Sequence, residues 1–80
     1  MASAMERAVM RERLEQAEHH VSLAERQMVR LREIIAELNR DAHDIQPAMN
    51  LLHQLEKTLA SYIANRNRLR VELGLLPSHR

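Results

Sequence analysis

Residues 10–45 read MRERLEQAEHHVSLAERQMVRLREIIAELNRDAHDI. Within them Met10, Leu14, Ala17, Val21, Ala24, Met28, Leu31, Ile35, Leu38, Ala42 and Ile45 follow one another at alternating steps of four and three residues. That spacing is a heptad seam. It calls for one long α-helix whose apolar stripe lies along another helix.

Working outward, no Pro or Gly occurs before Pro47, so nothing interrupts the helix. Ser3 is a fitting N-cap, and Glu6 stands three residues later, as in a capping box. Helix one is therefore expected over about residues 3–42, with the turn in 43–46. His43 would take the left-handed position that closes a helix, and Asp44 would cap the next one. Pro47 then falls in a first turn, where its missing N–H costs nothing.

Helix two is expected over about residues 45–73 and repeats the spacing: Ala48, Leu52, Leu55, Leu59, Tyr62, Arg66, Leu69, Leu73 and Leu76. Arg66 is the one polar intruder. Gly74 reads as a C-cap with Leu75 and Leu76 folding back, Pro77 as a stop, and 77–80 as a frayed tail. A short turn makes the helices antiparallel, so the fold class is all-α, a two-helix coiled-coil hairpin in one domain over 1–80. One register pairs seam positions whose numbers sum to 90: Leu38 with Leu52, Leu31 with Leu59, Met28 with Tyr62, Ala24 with Arg66. It leaves about a dozen residues of helix one unpartnered, an overhang carrying Met5, Ala8, Val9 and Met10 that could dock on another protein.

A chain of 80 residues with Tyr62 as its only aromatic buries little apolar surface, and with no Cys it has neither disulfide nor thiolate metal site to help. Self-association is the cheapest remedy. The flanks of the seam indicate where. His20, Gln27, Ile34, Leu51, Thr58 and Asn65 line one flank and carry no permanent charge. Arg11, Glu18, Glu25, Arg32, Glu56 and Arg70 dominate the other. Interface cores are depleted in charge, so the first flank is expected to meet its copy in a dimeric four-helix bundle.

Chemistry has little footing. Twelve Lys and Arg against eleven Asp and Glu leave a net charge of +1, no signal for a polyanionic partner. No glycine-rich phosphate loop occurs, and no Ser or Thr falls beside a His–carboxylate pair, so no enzyme is expected. Glu15 with His19, and His53 with Glu56, have helical ligand spacing but lie on different layers, so neither a metal nor any other cofactor is expected. Arg66, Arg68 and Arg70 form a basic cluster, and from Lys57 onward five Lys and Arg face one acid, Glu72. Two rival readings follow: a dimeric nucleic-acid-binding hairpin using that cluster, or a signalling hairpin with His53 as phosphoacceptor. Arg66 itself is expected to pass Ala24 towards Glu25 or Glu18. The opening Met1-Ala2-Ser3-Ala4-Met5-Glu6-Arg7 lacks the apolar run of a signal peptide, and no stretch could span a bilayer, so a cytoplasmic location away from membranes is expected.

Glu25 to Ile35, then Leu38-Asn39-Arg40-Asp41-Ala42-His43-Asp44, then Leu51-Leu52 and Arg66-Asn67-Arg68-Leu69 resemble a group of small bacterial helical proteins without known activity. In that group an "ERDGHD"-like turn joins two helices. The likeness covers roughly residues 19–73, and Ala42 stands where the group has Gly. The resemblance implies a hairpin and a bacterial origin, and it brings no activity. The expectation is thus a non-catalytic interaction or assembly module.

Overall fold

The computed structural model describes residues 3–75. Two helices, α1 (Ala4–Arg40, 37 residues) and α2 (Gln46–Leu75, 30 residues), pack side by side as a rod of 61 × 14 × 14 Å. No strand occurs among the described residues. The hairpin is the expected fold.

The caps explain where the helices begin. Ser3 has extended backbone, and its Oγ accepts the Glu6 N–H at 3.0 Å, removing one of the donors left open at a helix start. At α2 the Asp44 Oδ1 accepts the Gln46 N–H at 3.0 Å, and the first helical bond runs from the Met49 N–H to the Ile45 carbonyl at 2.9 Å. Pro47 is the second residue of α2, as expected from its lack of a donor.

Helix one ends two residues earlier than expected, at Arg40, and the reason is local. The His43 N–H donates to the Leu38 carbonyl at 2.9 Å, and the Ala42 N–H to the Asn39 carbonyl at 3.3 Å. Those nested bonds form a Schellman motif, which needs a left-handed residue at its centre. That residue is Ala42, at φ 58°, and not His43. An L-residue pays about 1–2 kcal/mol there, against roughly 0.5–1 kcal/mol of extra chain entropy lost by Gly. Ala42→Gly is therefore expected to stabilise the hairpin by about 0.5–1 kcal/mol and raise its melting temperature by a few degrees in a thermal melt. An unchanged or lower melting temperature would contradict the strain at Ala42.

Gly74 also departs from expectation. It is helical, has no positive φ, and α2 continues through Leu75 rather than ending near 73. A helix held along its seam tolerates one Gly at about 1 kcal/mol. Leu76, Pro77 and the tail at 77–80 lie outside the described residues.

The seams meet as their spacing demands. Ala17, Val21, Ala24, Met28 and Leu31 of α1 and Leu52 and Leu69 of α2 are the buried residues. Every other seam position from Met10 to Leu38 and from Ala48 to Leu73 is half-buried, Arg66 included. The register, however, lies one heptad from the expected one. The ring centroids of His20 and Tyr62 are 5.2 Å apart. Pairs summing to 90 would set Tyr62 level with Met28, eight residues and roughly 12 Å along the axis from His20. A sum of 83 sets it level with Val21. The same register places Leu31 opposite Leu52 and Met28 opposite Leu55, which pack together with Ile35, Ala48, Met49 and Leu59 in the core. A slip of seven residues keeps every seam position on the seam, so spacing alone accepts either register. The contacts of Tyr62 and of Leu52 select the second, with the chain reversing over residues 41–45. One consequence is a shorter overhang: Leu73 comes level with Met10, and only the first turn or so of α1 extends past α2.

Candidate interaction surface

With the register settled, the charge-poor flank becomes a surface with relief. Gln27, Ile34 and Leu51 line one open groove, floored by Leu31 and Leu55 and edged by Arg26 and Arg30. Its volume is about 430 Å³. Ile34 is half-buried, while Leu51 is 49% exposed. Arg30 on the edge is engaged with Glu33 at 3.3 Å, an exposed pair of small energetic weight.

His20 and Asn65 line a second, smaller cleft of about 190 Å³ further along the same flank, with Arg13, Gln16 and Arg68 around them. Thr58 is exposed and lies between the two by register. The six flank residues thus form a continuous strip with an apolar half near the turn and a polar half near the open end. Reading the rows missed Arg13 and Gln16. Extending the row from His20 back by one heptad leads to Arg13.

The basic cluster is more engaged than its sequence suggests. Arg68 has Glu72 at 3.8 Å and donates to the Asn65 Oδ1 at 3.0 Å. Arg70 crosses to Glu18 of α1 at 3.7 Å. Side chains lean towards their own helix N-terminus, so on antiparallel helices these two lean towards each other. Arg66 does not reach Glu25 or Glu18. Its Nε and Nη2 donate to the Asn67 Oδ1 at 3.3 and 3.2 Å. The heptad shift sets Arg66 level with Ala17, a heptad away from Ala24 and Glu25, and Glu18 is engaged with Arg70.

No protein-family model matches this chain, nor does any curated protein or solved structure.

His53 is exposed, with its Nδ1 3.7 Å from the Glu56 Oε2. Among the described residues no group of three or more His, Asp or Glu could hold a metal ion, and no helix is long and apolar enough to cross a membrane. At the overhang, Met5 is 76% and Val9 40% exposed, and they line an open hollow with Ser3, Glu6, Met10 and Arg13.

Proposed function

We propose that this chain is a non-catalytic interaction and assembly module that self-associates through the Gln27–Ile34–Leu51 groove and the His20–Thr58–Asn65 strip beside it. The carrying observation is the groove itself. Leu51 and Ile34 cover an apolar floor edged by Arg26 and Arg30, and Leu51 is half in water. Only seven described residues are buried, and no large side chain among them is fully sealed from solvent. A face of 61 by 14 Å is close to the roughly 800 Å² that each partner contributes to a standard interface. A second copy would seal the groove and double the number of packed layers.

Against the rival reading of nucleic-acid binding stands the small net charge of the basic cluster, where Glu72 and Glu18 lie beside Arg68 and Arg70. The test is absolute mass by light scattering on a sizing column, at low and at high salt. A dimer at both salts is expected, since an apolar contact resists screening. A folded monomer at micromolar concentration would overturn the proposal.

A further inference from the structure

The turn is the strained part of the hairpin, and a slip of one heptad relieves it. In the observed register Ala42 stands outside α1, at φ 58°. Sliding α2 seven residues along α1, about 10 Å, returns Ala42 to its place on the seam, opposite Ala48. The left-handed position then passes to His43, a residue type that enters that region more readily than most. The Asp44 bond to the Gln46 N–H is local to the start of α2 and survives the slip. Among the described residues the slip uncovers Met10, Leu14 and Ile45, all of them only half-buried in the observed register. Every other seam residue keeps a seam partner, with Arg66 moving from Ala17 to Ala24. Arg70, now 3.7 Å from Glu18, exchanges it for Glu25, one heptad on.

The groove does not survive. Ile34 and Leu51 line it together because they lie nearly level. In the slipped register Ile34 comes beside Thr58, and Leu51 beside Asp41. The apolar floor is divided, and a carboxylate stands next to Leu51. We infer that the hairpin is a two-register switch. The observed register presents the groove, and a register slipped by one heptad, held by about 1–10% of single hairpins, withdraws it. A second copy binds the observed register alone and so depletes the slipped one. This coupling rests on the self-association proposed above, whereas the slip itself rests on the seam and the turn.

Because the chain has no Cys, each register can be trapped by an introduced pair. A disulfide forms only where the two Cα atoms come within about 7 Å. Leu59→Cys with Ala24→Cys reports the observed register, and Leu59→Cys with Leu31→Cys the slipped one. Leu59→Cys with Leu38→Cys needs a slip of two heptads, which would put the chain reversal inside α2, and serves as control. In a glutathione buffer the first pair is expected to close fastest, the second about ten- to a hundredfold more slowly, and the third not at all. Mass in denaturant shows each link to be intramolecular. Leu73→Cys with Ala17→Cys repeats the slipped trap at the open end, should Leu31→Cys weaken the central core. Ala42→Gly relieves the observed turn and puts a poor helix former on the slipped seam, so it should slow the second link by about a further tenfold. Once locked, the 24–59 chain should dimerise as the wild type does, and the 31–59 chain should stay a helical monomer by light scattering and circular dichroism. Slipped pairs that close no faster than the 38–59 control would overturn the slip. A 31–59 lock that dimerises like the wild type would overturn its coupling to the groove. A wild-type monomer would overturn self-association and the coupling with it, while the slipped links would still decide the switch of register.

Discussion

Leu52→Ala is expected to abolish most of the cooperative helical structure. Leu52 is 7% exposed and closes the core layer with Met28 and Leu31. Cutting a buried Leu to Ala removes transfer free energy and leaves a cavity, together costing about 2–5 kcal/mol. A core of this size supplies only about 3–5 kcal/mol in total, so the loss is of the same order as the whole. The seam has no aromatic neighbour large enough to collapse into the gap, since Tyr62, the only aromatic, lies level with Val21. Far-ultraviolet circular dichroism during a thermal melt would show a weak, broad transition shifted far down in temperature. Val71→Ala makes the matching control. Val71 is 62% exposed, so the change should move stability by less than about 0.5 kcal/mol. Similar effects at both positions would mean that the described seam is not what holds the helices together.

The second large effect concerns association. Ile34→Lys combined with Leu51→Lys is expected to convert the proposed dimer to monomer, weakening it by about a thousandfold or more. Each dimer would have to bury four ammonium groups on a flank whose own rows offer no carboxylate near the groove. In a single hairpin the same two lysines extend into water, because Leu51 is already half exposed and Ile34 only half-buried. Helicity should therefore fall less than association does. Sedimentation or light scattering would report the mass, and circular dichroism the remaining helix. An unchanged stable dimer would place the contact elsewhere, with the exposed Met5–Val9 end of α1 as the next surface to test.

What spacing and cap chemistry determined was the hairpin and its buried stripe. The four-three steps from Met10 onward name the residues that the structure buries, because helical periodicity puts them on one face whatever lies opposite. Ser3 and Asp44 were readable as caps because a side-chain oxygen two or three residues before an open N–H is a local device. The six uncharged positions His20, Gln27, Ile34, Leu51, Thr58 and Asn65 were readable for the same reason, as parts of two heptad rows.

Only the tertiary structure decided the register. A seven-residue slip leaves the seam invariant, and the turn, where Ala42 rather than His43 adopts the left-handed conformation, carries no periodic signal to fix it. With that register go the His20–Tyr62 contact, the Arg70–Glu18 bridge, the place of Arg66 beside Ala17 and the short overhang. Gly74 stayed helical, at the cost of about 1 kcal/mol that a helical Gly carries. Which residues are buried is a property of each helix. Which of them meet is a property of the pair, set by a turn whose few hydrogen bonds carry no periodic signal.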